Sequence, residues 1–296
     1  MDCFGSDSEE ESSSVKRDAS CGVCSFHPHT ETSLLCYVKQ VRNSVASKEI
    51  SKNNSINDHL AKIRKAEHVL QAVDAFCTTR HWMMHIGPEK GDILTRTLKE
   101  SIDRKLSSQQ SDKSFIIVEL GSYCGYSSIL MAKECISYNN KLKFKLITLE
   151  INPEYHAIAS EMIKLSGLDD MISIFEISYN GYHTNIVDLL REELKQNTID
   201  MLFIDHDKDS YKSDLIRLEE AEFLRQGSRV VADNVIFAQI HDFVDYVQHR
   251  QKNGVVKTET VSCSIEYSND GSNSLSAAEE TSDGIGEFKH CFVLNL

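Results

Sequence analysis

The sequence predicts an α/β protein with a mostly parallel, Rossmann-like sheet covered by helices on both faces. Three observations predict it. Short apolar runs alternate with helix-length stretches five times between residues 115 and 250, the pattern of parallel strands joined by crossover helices. The first run, Phe115–Val118, leads into a glycine turn at Gly121 and Gly125 and then a helix from Ser127, an arrangement that lets backbone approach a ligand closely. Two further runs, Leu202-Phe-Ile-Asp205 and Val230-Val-Ala-Asp-Asn234, end in oxygen side chains, at the carboxyl ends of strands where open α/β sheets bind ligands.

In chain order, residues 1 to about 50 predict a disordered acidic and serine-rich tail, because Ser6-Asp-Ser-Glu-Glu-Glu-Ser-Ser-Ser14 has too little apolar content to fold. Cys21, Cys24, His27, His29 and Cys36 have zinc-ligand chemistry. The second pair is more compressed than in usual fingers, which favours a linker over a metal site. A single domain is expected over 51–296, and a chain beginning near Ser51 is expected to fold and act normally. Val69, Val73 and Phe76 recur at i, i+4, i+7 within a helix over 56–79. Arg80 to Gly91 then predicts a loop, because Gly87-Pro88 is a breaker. Its Trp82 and Met84 are either core or the apolar walls of a site. A helix over about 92–106 follows.

The second strand, Phe144–Glu150, ends in a carboxylate about 30 residues after the glycine turn. An acid there is either an ordinary strand end or the group that takes the ribose hydroxyls of an adenosine moiety. The three-glycine dinucleotide fingerprint is not met, since Tyr123 stands where a glycine is needed, so a pyrophosphate site is disfavoured. Pro153 opens a helix ending near Gly167. Strands are predicted over 171–175, 199–204 and 228–232, with helices over about 182–195, 212–224 and 239–250 between and after them. Val255–Glu266 and Phe288–Leu296 predict two last strands, a hairpin joined by a long polar loop over 268–287.

Composition excludes several classes. A net charge of −13 with a pI near 5.4 argues against nucleic acid and against an anionic membrane surface. No apolar run is long enough to span a bilayer, and the N-terminus lacks the apolar region of a secretory signal. Nine irregularly spaced cysteines suit reduced thiols. A cytoplasmic, monomeric protein is expected.

Four strand ends thus carry ligand chemistry: Glu119 with the glycine turn, Glu150, Asp205, and Asp233 with Asn234. Asp205, Asp233 and Asn234 supply three oxygens for a hard divalent cation such as Mg²⁺, which would keep further positions for water or substrate. Lys208 follows Asp205 by three residues and is placed to move a proton.

From about Ile56 onward the chain resembles catechol O-methyltransferase. The matching stretches are Trp82-Met-Met-His-Ile-Gly87, Glu119-Leu-Gly-Ser-Tyr-Cys-Gly-Tyr-Ser127, Glu150-Ile-Asn-Pro153, Asp205-His-Asp-Lys208, Ala232-Asp-Asn-Val235 and Ile265-Glu266. The resemblance implies the class I methyltransferase fold, a seven-stranded sheet with the last strand antiparallel. It also implies S-adenosylmethionine as methyl donor, Mg²⁺, and a small catechol-type acceptor. It assigns Asp205, Asp233 and Asn234 to the metal and Lys208 to the general base. Lys208, Asn234, Glu266, Trp82 and Met84 fall to the acceptor, with Glu266 on a catechol hydroxyl. Glu150 falls to the cofactor ribose, and Ile86, Glu119, Gly121, Tyr123, Ser127, Ile151, Ser178, Tyr179 and Asp205 to the rest of the cofactor site.

The chain also departs from that family. Asp207 stands where the family has tryptophan, and Asp205-x-Asp-Lys-Asp-x-Tyr211 resembles the caffeoyl-CoA O-methyltransferase branch. Ser178-Tyr-Asn180 replaces Ala-Ser-Gln at the adenine, and Ala238 replaces a substrate-wall proline. Other acceptors, a vicinal diol or a CoA-linked phenol, and a catalytically silent scaffold are the competing readings. The last is disfavoured because no metal ligand is lost, nor is the lysine.

Overall fold

A computed structural model describes residues 29–49, 58–108, 114–138, 141–177, 185–195, 197–235, 240–263 and 289–295. Three helices lead into the sheet, α1 (Thr30–Glu49), α2 (Asp58–Thr79) and α3 (Gly87–Leu106). Strands and helices then alternate as β1 (Phe115–Leu120), α4 (Tyr126–Ser137), β2 (Phe144–Glu150), α5 (Pro153–Ser166), β3 (Ile172–Glu176), α6 (Ile186–Leu194) and β4 (Met201–Ile204). They continue as α7 (Tyr211–Glu220), β5 (Arg229–Ala232), α8 (His241–Lys252), β6 (Lys257–Cys263) and β7 (Lys289–Asn295).

The seven strands form one sheet in the order β3-β2-β1-β4-β5-β7-β6. All neighbours pair parallel except β7, which is antiparallel to both β5 and β6. This is the predicted sheet, including the closing hairpin. Alternate strand residues face opposite sides. Ile117, Leu146, Met201, Phe203 and Val231 join the core beneath α2, α4 and α5, and Val118, Ile147, Leu202, Ile204 and Val230 join the core on the face of α6, α7 and α8. Both faces are covered, which is why these strands are continuous apolar runs rather than alternating ones.

The chain order runs outward from β1 in two directions, so a crevice opens at the carboxyl ends of β1 and β4. The register brings the ends level. The ladder runs one residue past each strand, with Gly121 N donating to the Leu149 carbonyl (2.9 Å), Asp205 N to Leu120 (2.9 Å) and Asp233 N to Ile204 (3.0 Å). Gly121, Glu150, Asp205 and Asp233 therefore stand along one edge.

Three boundaries differ from expectation. The domain does not begin near residue 51. The region expected to be tail contains α1, whose Leu34 and Val38 are fully buried. The Tyr37 ring meets Phe76 with centroids 5.6 Å apart, and the Arg80 guanidinium lies over it, 4.9 Å from its centroid. Its narrow stripe of 34, 38 and 41 becomes core only against α2 and α5. The rest of the expected tail, with Cys21, Cys24 and His27, lies outside the described residues, and so does the 268–287 loop. Secondly, α3 begins at Gly87, not near 92. Pro88 occupies its first turn, where a missing N–H costs nothing. Thirdly, α7 ends at Glu220, short of the expected 224, and Glu222 turns the chain with φ 59°.

Candidate active site

The β1–α4 turn is shaped by two left-handed glycines, Gly121 (φ 95°) and Gly125 (φ 82°). A Cβ on Gly121 would lie 2.4 Å from the Asp205 carbonyl oxygen, so only glycine lets this turn lie against the backbone that leaves β4. Glu150, at the end of β2, closes the turn from the other side. Its carboxylate accepts the backbone N–H of Tyr123 (2.8 Å), Ile151 (3.0 Å) and Asn152 (2.9 Å). The Tyr123 ring meets Tyr155 edge-on at 4.9 Å, and its hydroxyl donates to Glu31 of α1 at 2.8 Å.

Beneath the turn lies Glu119, fully buried. It accepts hydrogen bonds from Ser127, Ser128 and Thr148 Oγ1, the last at 2.6 Å. Burial pushes its carboxyl up to about 7, against the pull of those three hydroxyls. Its position is below the glycine turn, where it holds Ser127 at the start of α4. Ile86 is buried at the start of α3, and next to it His85 is buried between the rings of Tyr123 and Tyr126, at 5.3 and 5.5 Å. Burial lowers the imidazole pKa to about 3, so His85 is neutral.

The second half of the site stands at the ends of β4 and β5. Asp205 leaves β4, and the chain then makes one 3₁₀ turn, Lys208–Ser210, before α7. That turn brings Lys208 Nζ back to Asp205 Oδ1 at 2.8 Å and to the Tyr211 hydroxyl at 2.6 Å. Across the strand gap, Asp233 is buried and Asn234 takes a left-handed conformation, φ 59°. The Asn234 N–H donates to Asp233 Oδ1 at 2.8 Å. Lys90 of α3 is buried, and its ammonium donates to Asp233 Oδ2 and to Asn234 Oδ1, the latter at 3.3 Å. Desolvation raises the Asp205 carboxyl; Lys208 pulls it down, the Asp233 charge pushes it up and Lys90 pulls it down.

The donor set is therefore all oxygen, two carboxylates and one carboxamide from adjacent strand ends, already facing two ammonium groups. Such a set suits a hard cation. Among the described residues no group of three or more histidines, cysteines, aspartates and glutamates is placed to hold a metal, which is consistent with a site that has only two acids.

Comparison with known proteins decides the family. The O-methyltransferase family model matches residues 64–259. The catechol O-methyltransferase of Bos taurus is 34% identical over 214 residues, 71% of this chain and 71% of its own length. That of Mus musculus is 35% identical over 188 residues, 64% of this chain and 63% of its own.

The chain belongs to the O-methyltransferase family.

The solved O-methyltransferase of Bacillus cereus shares its fold, with a TM-score of 0.51 at 17% identity, covering 88% of this chain and all of the other. In this O-methyltransferase the sequence-predicted residues fall into three groups. Asp205, Lys208, Asp233 and Asn234 are brought together, as are Gly121, Tyr123, Glu150 and, from below, Glu119 and Ser127. Trp82 is half-buried, Met84 is 44% exposed and Ile151 is 48% exposed, so none of the three is core; Met83, His85 and Ile86 are the buried members of the loop that carries Trp82 and Met84. Ser178, Tyr179, Ala238 and Glu266 lie outside the described residues. Asp207 is exposed and accepts the Ser210 hydroxyl at 2.8 Å. Among the described residues no helix is long and apolar enough to cross a membrane.

Two residues beside the site were given no role from sequence. Lys90 is one, and a local signal existed: a cation in the first turns of a helix opposes the helix dipole, so its presence there asks for a partner elsewhere. Tyr211 is the other: in the sequence it ends the Asp205-x-Asp-Lys-Asp-x-Tyr211 motif, with nothing to show which group its hydroxyl meets.

Proposed function

We propose that the protein is a catechol O-methyltransferase, moving the methyl group of S-adenosylmethionine to one hydroxyl of a catechol beside Mg²⁺. The observation that carries the reading is the juxtaposition of Lys208 with Asp205, Asp233 and Asn234 at two adjacent strand ends. The bovine and murine relatives point to the same acceptor class. Asp205, Asp233 and Asn234 would hold the cation, which when bound lowers the pKa of a coordinated hydroxyl.

The remaining work belongs to the chain. Glu150, its carboxylate already aligned by three backbone N–H groups, takes the ribose hydroxyls of the donor. The Gly121 turn, with Ile86, Tyr123, Ser127 and Ile151, would hold the methionine and ribose portions of the donor, and Ser178 and Tyr179 are assigned to its adenine by the family resemblance. Trp82 and Met84 wall the acceptor, and Glu266 accepts its second hydroxyl. Lys208 Nζ removes the proton from the reacting hydroxyl. The bound donor would supply the methyl group, whose bond to sulfur breaks as its bond to the deprotonated oxygen forms. Holding the two reactants in line is the main gain.

Turnover of catechol tests the reading. Excess chelator should abolish it and Mg²⁺ restore it. Lys208→Met should lower kcat by roughly 10²–10⁴, the range of a positioned base, with little change in S-adenosylmethionine affinity. Full activity in chelator sinks the metal assignment, and a near-normal kcat in the variant sinks the base. Asp207 and the motif ending at Tyr211 favour one second acceptor class, a CoA-linked phenol. Labelled methyl donor with catechol and with such a thioester, assayed side by side, separates the two.

A further inference from the structure

Tyr211 is fully buried, yet its hydroxyl sits between the two strand ends of the site. Its ring is stacked on His206 at 5.2 Å with planes 7° apart, and it meets Phe243 of α8 edge-on at 5.6 Å. Those contacts need only a ring, and phenylalanine would make them. The hydroxyl does something else. It accepts from Lys208 Nζ at 2.6 Å and donates to the Asp233 carbonyl oxygen at 3.2 Å. Asp205 Oδ1 takes a second Lys208 N–H at 2.8 Å.

These bonds constrain Lys208 fully. An amine nitrogen is tetrahedral. One vertex is the bond to Cε, and two are aimed at Asp205 and Tyr211. The direction of the fourth is then set. Two of its N–H directions are thus committed, and the remaining vertex is the one left for the acceptor hydroxyl. The Asp233 carbonyl orients the phenol itself, because a hydroxyl that donates there must turn a lone pair elsewhere, and Lys208 occupies that side. We infer that Tyr211 is a positioning residue for the methyl-transfer base: it sets the direction from which Lys208 exchanges its proton with the acceptor hydroxyl. The inference rests on the reading of Lys208 as base.

The test uses the full chain with S-adenosylmethionine, Mg²⁺ and catechol. Tyr211→Phe keeps the ring contacts and removes the hydroxyl. Its kcat should fall about tenfold or more, the scale of one hydrogen bond to a charged group, with the affinity for S-adenosylmethionine and the KM for catechol held within about twofold. In a Lys208→Met background the same change should alter kcat by less than about twofold, because residues that act as a unit are not additive. A role confined to packing would lower kcat equally in both backgrounds. Equal falls, or a wild-type kcat in Tyr211→Phe, overturn the inference while leaving the base reading intact. A wild-type kcat in Lys208→Met alone overturns the base reading, and this inference with it. If Tyr211→Phe does not fold, 3-fluorotyrosine at position 211 replaces it. Fluorine keeps the hydroxyl but weakens its oxygen as an acceptor, so kcat should still fall in the Lys208 background and not in the Met background; no fall in either overturns the inference.

Discussion

Glu119 shows how one residue can serve a site without lining it. Its carboxylate is enclosed, holds Ser127 and Ser128 of α4 together with Thr148 of β2, and has a pKa lifted by burial from 4.5 to about 7. The sign of the consequence follows from linkage. A folded-state pKa above the unfolded one means that the folded chain binds more protons between those two values. The stability that Glu119 contributes is complete below about pH 4.5 and is lost as pH rises through about 7. Glu119→Gln should remove that slope. Urea unfolding of both proteins across the window is the measurement, and parallel curves would mean that the carboxyl titrates normally.

At the scale of elements, α1 matters most because it was not expected. It buries Leu34 and Val38 against α2 and α5, and its first turn reaches the β1–α4 glycine turn through Glu31 and the Tyr123 hydroxyl. Leu34→Ala should cost roughly 2–5 kcal/mol, the usual range for emptying a closed aliphatic site, read as a shift in the urea midpoint. A chain beginning at Ser51 loses the whole helix. It should unfold at markedly lower urea than the full chain, and S-adenosylmethionine should bind it more weakly because Tyr123 loses its anchor. A shortened chain with unchanged midpoint and affinity would make α1 an appendage. The helix was overlooked although Leu34, Val38 and Val41 repeat the i, i+4, i+7 spacing that marks α2, because the serine-rich acidic run before it made the first fifty residues look too polar to fold. Such a stripe is stabilised by the neighbour it packs on rather than by its own propensity. The start of α3 was misplaced for the converse reason. Gly87-Pro88 is a breaker in a helix interior but suits a helix N-terminus, and nothing local tells the two apart.

At the scale of the molecule, the two halves of the oxygen set come from different strands. Asp205 follows β4, and Asp233 and Asn234 follow β5, so they converge only when those strands pair. Binding of a cation by this proposed set would then be linked to folding. Millimolar Mg²⁺ should raise the melting temperature of the full chain, and Asp205→Ala should abolish the rise while Asp207→Ala keeps it. A rise that survives in Asp205→Ala would move the cation elsewhere.

The sequence by itself determined the strands, their alternation with helices, the glycine turn and the row of acids at the strand ends. Buried parallel strands must be continuous apolar runs, and such a run stops where the chain meets the polar edge, so Glu150, Asp205 and Asp233 announce both the element and its end. What only the tertiary structure decided are the partners. Lys90 reaches Asp233 across 143 positions of sequence, and Tyr211 reaches its carbonyl across 22. A local pattern records which face of an element is apolar, but not which distant group meets its one polar atom. That depends on the order in which the sheet is assembled, and here the pairing of β4 with β5 places two ammonium groups, of Lys90 and Lys208, and the Tyr211 phenol around Asp205 and Asp233.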